Sequence, residues 1–441
     1  MKLSKIKVEK LFGVFDHEIK INNNIGITII IGENGLGKTV ILEMIEAFFK
    51  ANYLYFNNVS FEKLIFEFTD KVIWTLEKES NTEITPLLTL TQTNKNKSKY
   101  KPLKLFQFDI EELEMLANRI TRFSPHFRRI GQKTWLDRRT NERLYINELI
   151  RKYGNIIVDD FYFAENERPK WFSDRFNEIQ VNLIETQRLI SIENKEERTH
   201  ERTVNKYSNE LSRLIKSYLT ESTELSSKLD RTYPNRLIKR LKQKSNATNE
   251  DLNRELKNLE EKRKLLDAVG LIEIEKDSNL LEIENPEDVI IDVLMLYVED
   301  SFEKIKIFDT ISRKIEILLE IINKRFKHKK MFIDKENGFL FKSTIIKNDD
   351  NTFQEIPVNK LSSGEQNELV LFYLLLFKTE KNSLILIDEP EVSLHISWQN
   401  SFIKDLKEIT KLNNLDVVIA THSPDIIANN WDLRVELKGL E

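Results

Sequence analysis

Three of the chain's 11 glycines fall in one short segment, Gly32-Glu-Asn34-Gly35-Leu-Gly37-Lys38-Thr39. A nearly continuous apolar run, Ile27 to Ile31, precedes it, and apolar residues at helical spacing, Val40 to Phe49, follow it. Strand, glycine turn and helix form the setting in which backbone N–H groups and a helix N-terminus cradle phosphates, because glycine puts no Cβ between backbone and anion. In that setting Asn34, Gly35 and Gly37 belong to the cradle, Lys38 reaches the β- and γ-phosphates, and Thr39 ligates Mg²⁺. A second constellation, Leu384-Ile-Leu-Ile-Asp388-Glu389-Pro390, sets two adjacent carboxylates at the end of an apolar strand, where open α/β sheets bind ligands. Asp388 fits a Mg²⁺-coordinating role through water, and Glu389, one residue on, suits polarisation of the attacking water in phosphoryl transfer. The chemistry these residues predict is binding of a nucleoside triphosphate with Mg²⁺ and hydrolysis of its phosphate.

Leu361-Ser362-Ser363-Gly364-Glu365-Gln366 puts two hydroxyls and a glycine at the start of an apolar helix. A plain N-cap accounts for one serine. The whole hexad closely resembles the signature motif of ABC-type ATPases, the segment that closes over the γ-phosphate of a nucleotide held by the opposite subunit. Gly364 also stands 24 residues before Asp388, the spacing that family shows. Val417-Val-Ile-Ala420-Thr421-His422-Ser423-Pro424 resembles the family's switch strand, which makes His422 the γ-phosphate sensor. Glu391-Val-Ser393-Leu-His395 stands where the family has its D-loop, in a form similar to overcoming-lysogenization-defect (OLD) and RecF-like ATPases. In those families a strand-ending glutamine contacts Mg²⁺ and the attacking water, and Gln187, after Val181-Asn-Leu-Ile-Glu-Thr, is its candidate here. The resemblance implies a composite site in which Ser362, Ser363, Gly364 and Glu365 of one subunit complete the nucleotide site of another, so a homodimer or higher homo-oligomer is expected.

These groups need a scaffold. Lys2 to Leu11, Glu18 to Ile21 and Ile27 to Ile31 read as strands, and Leu64 to Lys78 alternates as a hairpin. Asn94 to Lys104 reads as a basic polar loop. From Val204 a seam of apolar residues runs through Tyr207, Leu211, Leu214, Tyr218, Leu225 and Leu229, and a second runs Leu252, Leu256, Leu259, Leu266 after a break expected at Asp230 to Pro234. Paired antiparallel, the two would make a short arm. Ile291 to Phe326 reads as one further long helix, Met331 to Lys342 as a hairpin turned at Asn337-Gly338, and Leu384 to Ile387 and Val417 to Ala420 as buried parallel strands. Lys38 and Ser362 lie 324 residues apart, and the excess over a transporter ATPase contains the arm, as in SMC-like ATPases. The expectation is an α/β ABC-type ATPase head, a mixed sheet with a phosphate loop, split by a helical or coiled-coil insertion. Residues 1–191 would be its N-terminal lobe, 192–330 the arm, and 331–441 the C-terminal lobe.

Composition narrows the alternatives. The chain has 441 residues, no cysteine and six histidines, which removes thiol catalysis, disulfides and cysteine-ligated metals and suits the cytoplasm. Its charge is finely mixed, 68 basic against 72 acidic residues, and its longest apolar run, Leu369 to Phe377, is half of a bilayer span, so no membrane contact is expected. Asn118 to Arg143 concentrates arginine beside Phe123, Phe127 and Trp135, a composition open to nucleic acid, to a protein partner, or to a fold surface with an aromatic core. By motif form the chain is similar to ATPase subunits of two-gene anti-phage systems of PARIS or Septu type. That resemblance implies a sensor and scaffold, a phage-protein trigger and a separate effector nuclease of TOPRIM or HNH type. The alternative is a DNA-binding repair or recombination ATPase of RecF type. Only Asn430 to Glu441 follow the switch segment, so a TOPRIM domain, and with it self-contained cleavage, is not expected.

Overall fold

The computed structural model describes residues 2–79, 87–94, 100–106, 110–131, 133–139, 142–146, 148–149, 169–185, 203–243, 247–274 and 286–439. The chain forms two compact units, residues 1–187 with 379–441, and residues 188–378.

The first unit is built on a five-stranded, wholly parallel sheet in the order Val181–Glu185, Leu384–Asp388, Asp416–Ala420, Ile27–Ile31, Arg434–Glu436. Its central strands are continuous apolar runs because both faces are covered; all five residues of Asp416–Ala420 are buried. Register sets Asp388 opposite Ala420 and Ala420 opposite Ile30. Parallel strands end on one edge, so the phosphate loop, the paired carboxylates and the switch segment emerge side by side. The helix Lys38–Phe49 buries Ile41, Leu42, Met44, Ile45 and Phe48, each such burial contributing roughly 1.5–3 kcal/mol. Phe48 packs 4.7 Å from Phe66, on a six-stranded antiparallel sheet running Phe15–Lys20, Leu3–Leu11, Lys63–Phe68, Ile73–Glu79, Leu87–Thr93, Leu103–Phe106. The predicted hairpin is thus observed, and the polar loop gives way to strand at Leu103.

The second unit differs from expectation in three places. The first seam does not break at Pro234: one helix runs Thr203–Gln243. Proline removes one backbone donor, the one that would reach the carbonyl four residues back, and crowds the preceding turn, a local loss within a helix of 41 residues that packs along a neighbouring helix. Nor do the two seams pair mainly with each other. Both pack on a third helix, Asp288–Lys306. Asp230 pairs with Lys304, Arg236 with Asp300, and Arg240 with Glu299, so the long helix runs antiparallel to that third helix, while Leu252, Leu256, Leu259 and Leu266 lie buried on the second, Asn249–Ala268. Finally, Ile291 to Phe326 is two helices, Asp288–Lys306 and Asp309–Arg325, parted at Ile307 and Phe308.

The hairpin Lys329–Asp334 with Gly338–Lys347 turns through three residues, since Asp334 pairs with Gly338. Asp334 Oδ1 accepts from the Glu336 and Asn337 N–H groups, and Gly338 takes φ 74° where a Cβ would strike the Ser208 carbonyl. Ser208 and Ser212 of the long helix donate to the Asn337 and Lys335 carbonyls, fixing that helix on the turn. The fold class is the expected one: α/β, with mixed sheets and a long helical insertion.

Candidate functional site

The helix Lys38–Phe49 is capped by Gly37 at φ 87°, where a Cβ would lie 2.5 Å from Leu11 Cδ2. Backbone conformation and packing therefore both demand glycine there. Asn34 and Gly35 on the loop and Thr39 in the first turn of the helix are exposed, whereas Lys38 is buried, its Nζ donating to the carbonyls of Gly32 (2.8 Å) and Glu33 (3.0 Å). His422 Nδ1 lies 3.5 Å from the same ammonium. Burial lowers the Lys38 pKa, and the neighbouring Glu389, Asp388 and Glu391 carboxylates oppose that shift by favouring its charge.

Asp388 ends its strand beside Thr39, whose hydroxyl is hydrogen-bonded to the carboxylate. Burial, with added repulsion from Glu389, Glu43 and Glu391, pushes the Asp388 carboxyl up to about 6. This donor set fits Mg²⁺: a hydroxyl and a crowded carboxylate at a strand end, with no group of three or more His, Asp or Glu assembled to hold a metal among the described residues. Mg²⁺ is commonly held this way, by one or two protein ligands plus substrate phosphates. Because the folded value lies above the ordinary 3.8, ionising Asp388 opposes folding; the cost is absent below about 3.8, grows up to about 6 and is complete above it. Asp388→Asn should accordingly raise the thermal midpoint of the nucleotide-free protein at pH 8, with a gain that shrinks as pH falls through that window. Thermal scans across pH that show a constant difference would contradict this electrostatic account.

Glu389 adopts a left-handed backbone, φ 45° and ψ 56°, with its N–H bonded to Ala420 O at 2.9 Å. Strain of this kind at a non-glycine residue persists only where the surroundings fix it, and it clusters at functional sites. Sequence reading underrated Glu391. Its carboxylate accepts from Thr421 Oγ1 (2.7 Å) and from the His422 N–H (2.8 Å), tying the turn after Glu389 to the switch segment. A second tie, Ser423 Oγ donating to Gln399 Oε1 at 2.6 Å, lies alongside. The only local signal was a third carboxylate just past Asp388-Glu389-Pro390.

Lys38, Thr39, Asp388, Glu389 and His422 are thus brought together on one edge of one unit. The signature residues belong to the other unit. There Ser362 caps the helix Ser363–Tyr373 through a reciprocal capping box with Glu365; Ser362 and Ser363 are exposed, and a Cβ at Gly364 would meet nothing. Gln187 lies outside the described residues.

In the arginine-rich stretch, strand register sorts the charges. Phe127 and Trp135 are core residues, Arg129 stacks 5.2 Å over the Trp135 ring, and Arg139 pairs with the buried Asp137 at 3.1 Å. Arg128, Leu136 and Arg143 form one cross-strand row on the other face, with exposed Arg128 and Arg143. Tyr145, 65% exposed, shares that face.

A glycine loop running into a helix, a strand-end carboxylate pair and a histidine gather on one parallel sheet edge, the arrangement of a phosphate-loop ATPase domain. The chain belongs to the AAA ATPase domain family, whose profile matches residues 1–427. It is similar to two solved SMC heads. One is the Smc head domain with an extended coiled coil bound to the C-terminal domain of ScpA, from Pyrococcus furiosus, at 13% identity and TM-score 0.31, covering 97% of this chain and 91% of that one. The other is the SMC head domain from Thermotoga maritima, at 10% identity and TM-score 0.32, covering 100% and 96%. It is also 35% identical over 68 residues to protein ea59 of Escherichia phage lambda, a match that spans 15% of this chain and 13% of that protein. Among the described residues no helix is long and apolar enough to cross a membrane.

Proposed function

We propose that the chain is an SMC-like ABC-type ATPase that binds and hydrolyses ATP at composite sites of a homodimer or higher homo-oligomer, and that it serves as the sensor and scaffold of an anti-phage system controlling a separate effector nuclease. The observation that carries the ATPase reading is the convergence of Lys38, Thr39, Asp388, Glu389 and His422 on one sheet edge. In this reading Lys38 neutralises the β- and γ-phosphates, Glu389 polarises the attacking water, and His422 senses the γ-phosphate. Thr39, Asp388 and Gln187 would hold Mg²⁺, which would offset charge on the phosphate oxygens. Ser362, Ser363, Gly364 and Glu365 come from the opposite subunit. The defence role is supported by the form of the motifs taken together, which resembles ATPase subunits of two-gene anti-phage systems, and TOPRIM or HNH chemistry would then reside in the partner, with a phage protein as trigger.

The test is genetic and biochemical. Purified chain should leave plasmid, linear DNA and tRNA intact with Mg²⁺ or Mn²⁺, while phage protection in cells should need a neighbouring gene and an intact Lys38. Metal-dependent cleavage by the chain alone that survives Lys38→Ala would overturn this division of labour.

The second reading, a DNA-binding repair ATPase of RecF type, is favoured by the Arg128, Arg143 and Tyr145 face, where cations stand beside an exposed ring. It predicts ATPase stimulation by bare DNA ends that Arg128→Ala with Arg143→Ala removes.

A further inference from the structure

The signature segment carries an internal contradiction. An incoming triphosphate is to be met by the N-terminus of the helix Ser363–Tyr373, whose free N–H groups and dipole favour anions. Yet Glu365 places a carboxylate in that first turn. Its Oε2 accepts from the Ser362 N–H at 2.8 Å and from Ser362 Oγ at 2.9 Å, while the Glu365 N–H donates back to Ser362 Oγ at 3.3 Å. The hydroxyl meant for phosphate is therefore held by an anion, and a bare anion there would repel the ligand. Lys329 resolves this: its Nζ donates to both carboxylate oxygens, at 2.6 and 2.7 Å.

We infer that Lys329, at the start of the hairpin strand Lys329–Asp334, is a positioning residue that neutralises Glu365 and thereby keeps the signature N-terminus attractive to ATP and the Ser362 hydroxyl aimed. The inference rests on the reading that Ser362 serves a nucleotide. Burial alone would raise the Glu365 carboxyl; the Lys329 ammonium and the Ser362 donors outweigh it and hold the group below its ordinary value, so it is an anion in need of its counter-ion. The pairing is not isolated. The helix's second acid, the fully buried Glu368, is paired with Arg325, whose guanidinium lies 4.8 Å from the centre of the Phe372 ring. Arg325 ends the helix Asp309–Arg325, four residues before Lys329, so one short stretch of chain supplies both counter-ions.

A double-mutant cycle on the full chain, read as Mg²⁺-ATP hydrolysis, tests this. Lys329→Met should raise KM for ATP about tenfold or more, the scale of losing a charge-assisted pair beside an anionic ligand. Lys329→Arg should stay near wild type. Adding Glu365→Gln to Lys329→Met should lower KM again relative to Lys329→Met alone, since the unpaired anion is gone, though not to the wild-type value, because Ser362 loses its carboxylate partner. A merely structural lysine predicts the opposite: the double variant would be no better than the single one, and that result overturns the inference. Thermal midpoints check folding, and Lys329→Gln replaces Lys329→Met should the latter unfold. Loss of activity in Ser362→Arg alongside normal KM in Lys329→Met would sink this inference alone. Full activity in Ser362→Arg would sink the composite-site reading and this inference with it.

Discussion

Lys38→Ala should abolish tight ATP binding, and Glu389→Gln should bind ATP and fail to turn it over. The two variants sit within one cluster of charges yet act on different steps. Lys38 is buried at the loop, its ammonium surrounded by the carbonyls of Gly32 and Glu33 and by the fields of Asp388, Glu389 and Glu391. Removing it leaves three carboxylates facing an incoming triphosphate with no opposing cation from the loop. Truncating one partner of a buried, hydrogen-bonded charge pair costs about 2–5 kcal/mol, so affinity should fall at least about thirtyfold. Glu389→Gln preserves shape and takes one negative charge from the site, so binding should hold or tighten. Loss of a positioned base lowers turnover by about 10²–10⁴. Fluorescent-nucleotide titration with single-turnover hydrolysis separates the two effects. Comparable hydrolysis by wild type and Glu389→Gln would remove Glu389 from the role proposed for it.

What sequence made legible, and what it hid, divides along a physical line. The phosphate loop, the strand-end carboxylates and the parallel strands were readable because each is specified within a few residues: glycines at Gly35 and Gly37, apolar runs at Ile27 to Ile31 and Leu384 to Ile387. Pairings set by residues far apart in sequence were hidden. Glu391 meets Thr421 and His422 some thirty residues on. Lys329 meets Glu365 across a hairpin and a turn, and nothing in the hexad announces that its glutamate has a partner. The helical insertion shows the same limit. Heptad spacing found the buried leucines of the second seam, but the choice of packing partner rests on Arg236 with Asp300 and Arg240 with Glu299, which periodicity cannot express. Pro234 reads as a stop because proline lacks a donor, but the loss is one bond in a helix of 41 residues, and packing along the helix Asp288–Lys306, which no local pattern announces, carries the chain through it.

Mixing two dead variants should restore activity if sites are shared between subunits as proposed. Lys38→Ala removes the phosphate cation and Ser362→Arg sets a bulky cation at the exposed cap of the signature helix. In a two-fold dimer with composite sites, one site of the mixed dimer pairs both defects and the other pairs an intact loop with an intact signature. Equal mixing yields half mixed dimers with one good site each, so up to about a quarter of wild-type activity should return, provided each site fires independently. A site completed within one chain makes the contrary forecast, since every chain in the mixture then carries a broken site and activity stays at background. The control is folding: loss of a serine cap costs about 1 kcal/mol, so the thermal midpoint of Ser362→Arg should fall little, and that of Lys38→Ala is checked alongside it. Native mass spectrometry of differently tagged chains confirms exchange. Well-mixed heterodimers that remain inactive would sink the shared-site proposal and return the signature serine to the plain capping role its hydrogen bonds with Glu365 already perform.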